Sequence, residues 1–512
     1  MADNLASFKV FAQGGLNTSR DVLSQGETAP GSAITLINYE PAVTGGYRKI
    51  NGFSNDYGTV TGTGNVLGVA VVDGINDGIL AARKPSSGNN YLHKFNNSSS
   101  AWDAVSTSGS PTMVGVTKVR FSKLNFGSPK VVLTDGINPA ATYDGSTYTQ
   151  ITHSDAPTDP KYSAVFQNHL FLAGDPAEKT NLYFSAPLAE TNFASASGAG
   201  VINVGFPIVA IKSFRNELYI FGSTNIKKLS GTALANFALQ TVTDDLGCLA
   251  TDSVIEIGGD LLFLSQDGLR PISGTSKIGD VNLETVSKNI QSIFTDIVFD
   301  IDLDTLNAVT IKQKTQFRYF FGAADSQGII GGFRETPNGL QFEYSQMLGI
   351  SATSAASGYI GQNEFVIHGD STGKVHRQEQ GNTFAGTNIF SVYQTPFLYM
   401  QDPEQRKIFY TVATYLRSEG DNEIVMSVVY DYEDPNSLSP TNFTLSTEGA
   451  AAYYNEAAYN STAIFDGNPS PVQRTNISGS GKSVSLKYVT NDSNASHSIQ
   501  GIVVTFGVGD RL

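Results

Sequence analysis

HLFLAGDPAEKTNLYFS, residues 169–185, is a run of apolar residues, a turn rich in Gly, Asp and Pro, and a second apolar run. The same phrase returns as ELYIFGSTNIKKLSG (217–231), DLLFLSQDGLRPISG (260–274), RYFFGAADSQGIIGGF (318–333) and EFVIHGDSTGKVHRQ (364–378). Before it stand GILAARKPSSGNNYLHKF (78–95) and KVVLTDGINPAATYDG (130–145). With Leu80, Val132, Phe171, Tyr219, Leu262, Tyr319 and Val366 as anchors, the spacings are 52, 39, 48, 43, 57 and 47. Periods of roughly 40 to 50 residues belong to propeller blades. A lone hairpin of this kind cannot bury both its faces, whereas blades stacked in a ring do. The pattern predicts an all-β chain: a β-propeller of about six to eight blades with an additional C-terminal β domain.

Composition agrees with that class. The 51 Gly suit turns, and the 30 Phe and 22 Tyr suit strands. Helical periodicity is clearest over Asp280 to Val298, where Leu283, Val286, Ile290, Ile293 and Ile297 recur behind a possible cap at Asn282. Cys248 is the single cysteine, so no internal disulfide forms. No apolar run reaches the about 18 residues that would span a bilayer, so no membrane insertion is expected. The N-terminus has no signal-peptide pattern, which predicts assembly in a reducing cytoplasm. A formal charge of −14, with no basic run, argues against a phosphate-gripping surface over the whole protein.

Three regions follow from the repeat. Residues 1–60 lack the phrase and read as an N-terminal arm leading into the ring. Residues 61–385 hold the seven anchors, with type I′ turn signals at Asp73-Gly74, Asp77-Gly78, Asp135-Gly136, Asp144-Gly145 and Asp267-Gly268. Residues 386–512 keep strand alternation at Val484, Leu486 and Tyr488 and at Ile502, Val504 and Phe506, which predicts a C-terminal hairpin. Between them, Asp434 to Ser480 reads as long surface loops.

The phrases GGYRKINGF (45–53), LYFSAP (182–187), IVAIKSFRNELYIFGSTNIKKLSG (208–231) and DDLGCLATDSVIEIGGDLLFLSQDGLRPI (244–272) resemble the tail nozzle proteins of short-tailed bacteriophages. These are also called tail tubular or head-stabilisation proteins. FVIHGDSTGKVHRQEQG (365–381) and RKIFYTVATYLRSEG (406–420) fit the same family, so the resemblance runs from about residue 36 to 430. It implies a structural virion protein of the phage tail, assembled in the host cytoplasm as a homohexameric ring. That ring would continue the portal–adaptor channel, retain the genome and guide DNA ejection. The implied partners are the adaptor, a tail fibre or tailspike, and a tail needle or tip protein. Genomic double-stranded DNA would pass through without specific binding.

Chemistry-bearing strings all have simpler structural explanations. Gly369-Asp370-Ser371-Thr372-Gly373 matches a nucleophile elbow, but the residues after it alternate like a strand, so a hairpin turn is expected. Gly479-Ser480-Gly481-Lys482-Ser483 resembles the end of a phosphate-binding loop, yet it leads into SVSLKYV, a strand. Asp300, Asp302 and Asp304 have calcium-loop spacing without the required Gly, and read as an acidic strand face. His368 and His376, eight apart, match no zinc pattern, and Cys248 reads as a small buried residue. No catalytic, cofactor-binding or metal residue is expected, and no enzyme activity. The alternative class is an extracellular carbohydrate-binding or carbohydrate-cleaving β-propeller, which would want exposed Trp, and only Trp102 exists. A WD-type scaffold would need Gly-His and Trp-Asp signatures, which the phrases lack.

Overall fold

The computed structural model describes residues 5–508 apart from 44, 110, 112, 276–284, 301, 323–325, 337–338, 401, 435–438 and 448–470. Every anchor of the repeat lies on the second strand of an antiparallel unit. Five units are separate sheets, with first strands Thr63–Val71, Arg120–Asn125, Tyr162–Phe166, Ala210–Phe214 and Ile255–Ile257. Two more, beginning at Asn307–Ile311 and Ser354–Ile360, are built into one larger sheet. Numbered in chain order, these seven antiparallel units are called blades one to seven, the first five being separate sheets.

Alternation along the second strands explains the ring. Successive side chains point to opposite faces of a strand, so each blade feeds two cores. Leu80 shares a core with Leu133, Val132 with Leu170, and Phe171 with Leu218. Continuing round, Phe221 joins Phe263, Leu262 joins Tyr319, and Phe320 joins Val366. Ile367 of the seventh blade then meets Val69 of the first, which closes the circle. Burying one such side chain fully is worth about 1.5–3 kcal/mol, so each inter-blade layer is a substantial adhesive surface.

The tight turns differ in detail from the sequence expectation. Two-residue turns with positive φ at both positions occur at Gln167-Asn168, Arg215-Asn216 and Gly258-Gly259. In the five Asp-Gly pairs only the glycine has positive φ. All five aspartates stay outside the left-handed region, and Asp135 and Asp144 each cap two backbone amides. Asp135 Oδ1 accepts from Ile137 and Asn138, and Asp144 Oδ1 from Ser146 and Thr147. These are Asx-type loops, for which Asp is chosen because its carboxylate can replace a backbone acceptor.

Residues 5–54 are not a free arm leading into the ring. Phe53–Ser54 pairs antiparallel with Val375–Gln378 and so supplies the outer strand of the seventh blade. Leu5–Phe11 and Tyr47–Lys49 both pair with His497–Val508. Thr35–Ile37 inserts between the outer strand of blade six, Gly339–Leu348, and Thr387–Gln394. The second domain is therefore made from both ends of the described chain. One of its sheets centres on Lys407–Ser418 paired with His497–Val508, and the other on Val484–Asp492 paired with Glu423–Tyr430. Tyr39, Tyr47, Val412, Met426 and Val504 belong to the core of this domain, which continues into blades five and six.

Three smaller expectations are corrected. The helix begins later than its periodicity suggests: a short 3-10 turn at Lys288–Ile290 leads into a helix at Gln291–Asp300, and Asn282 lies outside the described residues. Asp300, Asp302 and Asp304 form no strand face, because Asp300 ends that helix and Asp302 caps the following turn through Asp304 N. The supposed long loops of Asp434 to Ser480 include strands Phe443–Ser446 and Val472–Asn476. The remainder of that stretch falls largely outside the described residues.

Candidate functional site

The first strands of the blades line a central channel, seen as two adjoining cavities of about 210 and 580 Å³. Where these strands begin, the channel is cross-tied by charge. Asp252 accepts from Arg120 Nε at 3.0 Å and Nη2 at 2.8 Å, and pairs with Lys118 Nζ at 2.7 Å. Lys118 also donates to the carbonyls of Asp304 and Leu306, and Lys161 pairs with Asp304 at 3.0 Å. This network joins blades two, three and five to the approach to blade six. Burial pushes the Asp252 carboxyl up, but Arg120 and Lys118 outweigh it and hold the group at about 2.

Further along, Lys123 of blade two, Lys212 of blade four and Lys312 at the end of blade six's first strand line the larger cavity with Glu256. Burial pushes the Lys123 ammonium down, and Lys312 adds to the effect. Lys212 is lowered in the same way, with Glu256 opposing and Lys312 reinforcing the shift. Its side chain is exposed to the channel although protein surrounds it. No sequence signal marks these lysines, since none lies in a basic run.

A second polar site welds the propeller to the other domain. Glu40 Oε1 receives Arg48 at 3.1 Å and Lys314 at 2.6 Å, and Arg318 Nη2 stands 3.6 Å from Oε2. Arg318 and Lys314 both also pair with Glu379, and Arg318 Nη1 donates to Gln378 at 2.9 Å. Arg318 is fully buried. Burial raises the Glu379 carboxyl, and Arg318 and Lys314 overcome it to hold it at about 2.

The strings singled out in the sequence are placed as follows. Gly369–Gly373 covers the turn between Asn363–Gly369 and Val375–Gln378, an antiparallel pair, with Ser371 exposed. Asp370 organises that turn, accepting from Thr372 N at 2.9 Å, Lys374 N at 2.8 Å and His376 Nε2 at 3.1 Å. Lys482 pairs with Glu404 at 3.0 Å just before Val484–Asp492. His368 and His376 are brought together, with ring centroids 4.9 Å apart, both edge-on to Phe53. Among the described residues no group of His, Cys, Asp and Glu could hold a metal, and no helix is long and apolar enough to cross a membrane. Cys248 is buried and its thiol is pushed up to about 11 by burial. Trp102 is buried and donates to Tyr57 O at 2.7 Å, so its ring is not free to stack on a sugar.

No protein-family model matches the chain, and neither does any curated protein sequence. Solved structures with some likeness include the extracellular domain of a putative one-component system from B. thetaiotaomicron, at 11% identity and a TM-score of 0.38. That match covers 70% of this chain and 43% of the other, so the chain spans less than half the length of that relative. A second is KlHsv2 with loop 6CD replaced by a Gly-Ser linker, at 11% identity and a TM-score of 0.33, covering 56% of this chain and 98% of the other. The fold rests on the strand pairing itself: the chain is an all-β propeller carrying a second β domain.

Proposed function

We propose that this chain is a structural subunit of the tail nozzle of a short-tailed bacteriophage. In this reading it assembles into a sixfold ring beneath the adaptor, contacts a tail fibre or tailspike and a tip protein, and lets DNA pass through the assembled ring. The observation that carries the reading is where the family-like phrases fall. GGYRKINGF (45–53) runs from the second domain's Tyr47–Lys49 strand to the outer strand of blade seven. RKIFYTVATYLRSEG (406–420) is the second domain's Lys407–Ser418 strand, and its Glu419 receives Arg48 of the first phrase. The resemblance thus reaches the stretches where the two domains are locked, as well as the blades. A subunit that surrounds a pressurised genome needs parts that do not hinge, and buried, hydrogen-bonded charge pairs resist being opened.

The test is assembly. Purified chain should be monomeric in light scattering and should form sixfold rings in electron micrographs when mixed with its phage's portal–adaptor complex. Absence of the chain from the mass spectrum of purified tails would overturn the reading.

A further inference from the structure

Five lysines elsewhere in this fold are held closely by carboxylates. Lys49, Lys118, Lys130, Lys228 and Lys314 each have a carboxylate oxygen at 2.5–2.7 Å. Lys123, Lys212 and Lys312 are different: among the described residues, their ammoniums have no ion pair or hydrogen-bond partner. They come from alternate blades, two, four and six, and so stand around one channel. Lys123 reaches over to blade seven, where its Nζ lies 3.2 Å from the place a Cβ on Gly358 would occupy.

Charge balance inside the cavity is positive although the whole chain carries −14. Asp252 is already taken by Arg120 and Lys118, which leaves Glu256, acting on Lys212, as the other carboxylate of the lining, while Asp73 acts on Lys123 from outside it. Like charges gathered in one channel repel, and Lys312 adds this repulsion to the lowering that burial imposes on Lys123 and Lys212. The chemistry of the donors narrows the ligand. The channel's guanidinium, Arg120, is committed to Asp252, so the forked recognition suited to a lone carboxylate is spent. Three separated point charges suit a compact, multiply charged oxyanion. We propose that the propeller channel binds a small phosphate-bearing anion on Lys123, Lys212 and Lys312. The cavity of about 580 Å³ has room for a phosphate and a modest substituent.

The experiment uses the full chain and sodium pyrophosphate as probe, by titration calorimetry and thermal unfolding at constant ionic strength set with chloride. One pyrophosphate per chain should bind and raise Tm. Lys212→Gln and Lys312→Gln should each weaken binding by about tenfold or more, the scale of a charge-assisted hydrogen bond. Lys482→Gln, outside the channel, should leave it unchanged. Without phosphate, Lys312→Gln should unfold no earlier than the parent, because it removes repulsion, so lost binding in that variant is not lost folding. No heat and no Tm shift with the parent chain would overturn the proposal, as would equal losses in the Lys482 and Lys212 variants. A 5′-phosphorylated oligonucleotide that competes, where its unphosphorylated twin does not, would assign the phosphate to a strand end. Failure of both to compete would assign it to free small phosphates.

Discussion

Arg48 holds Glu419 with two bonds of 2.6 Å, one from Nε and one from Nη2, and its Nη1 reaches Glu40 at 3.1 Å. One guanidinium thus fastens the last turn of a second-domain strand to the stretch that enters the propeller. Lysine can supply the charge but not the fork. Arg48→Lys should therefore lower stability by about 1–2 kcal/mol in urea unfolding, and Glu419→Gln by less, since an amide oxygen still accepts. The opposite order would mean that Arg48 acts through packing alone.

Arg318 presents a deeper version of the same device. It is fully buried, and its removal leaves Glu379 with Lys314 as its remaining cation. Arg318→Met should cost about 3 kcal/mol or more, because an under-compensated carboxylate stays buried. Adding Glu379→Gln should recover part of that loss. A strictly additive double mutant would deny that the two are coupled.

Acid should weaken the fold in two stages. Burial lowers both His368 and His497 to about 3 from an ordinary value of 6.5. A folded pKa below the unfolded one means the unfolded chain binds protons first. The stability from these neutral histidines is full above about pH 6.5 and is lost as pH falls toward about 3. Glu379, held at about 2 against 4.5, adds a second loss below about pH 4.5. Tm followed from about pH 7.5 to about pH 3.5 should fall throughout, and His368→Gln should flatten the upper part. A flat profile above pH 5 would contradict this account.

Asp370 and its neighbour Ser371 should behave oppositely. Ser371 is exposed, and Ser371→Ala should change stability by less than about 0.5 kcal/mol. Asp370→Ala removes the acceptor for two backbone amides and His376, and should cost about 2 kcal/mol. Any hydrolytic activity that disappears in Ser371→Ala would mean that the turn has a chemical role as well.

Duplex DNA should bind the isolated chain no better than an acidic control protein, given a net charge of −14 and no basic run. Fluorescence anisotropy at low salt decides this. Submicromolar affinity that falls steeply with salt would indicate a gripping surface in place of a passage.

Much of the ring was legible because its signals are local. Leu80, Phe171 and Leu262 each sit in a short apolar run beside turn residues, and a hairpin needs little more than that to form. The outer strand of blade seven was hidden, since Phe53–Ser54 finds its partner at Arg377 and Gln378, more than three hundred residues later. The channel lysines were hidden for the same reason. Lys123, Lys212 and Lys312 lie about a hundred residues apart, and only the closed circle brings them together. Asp302 and Asp304 misled because alternating acids fit a strand and a capped turn equally well.

The pairing of Leu5–Phe11 with His497–Val508 has a consequence for how the molecule comes into being. A ribosome exposes the earlier strand while about five hundred residues are still to be made, at a pace of roughly 5–20 residues per second. For that whole interval the strand has a bare hydrogen-bonding edge and leaves Val10, buried in the folded protein, without its neighbour. Blade seven waits as well, but only for the synthesis of its own last strand near Gln378, since Phe53–Ser54 is already present. Maturation is therefore ordered in time: the circle can close on the nascent chain, and the second domain is sealed only at its final strand. Translational pausing or a holding chaperone would act on the window between those two events.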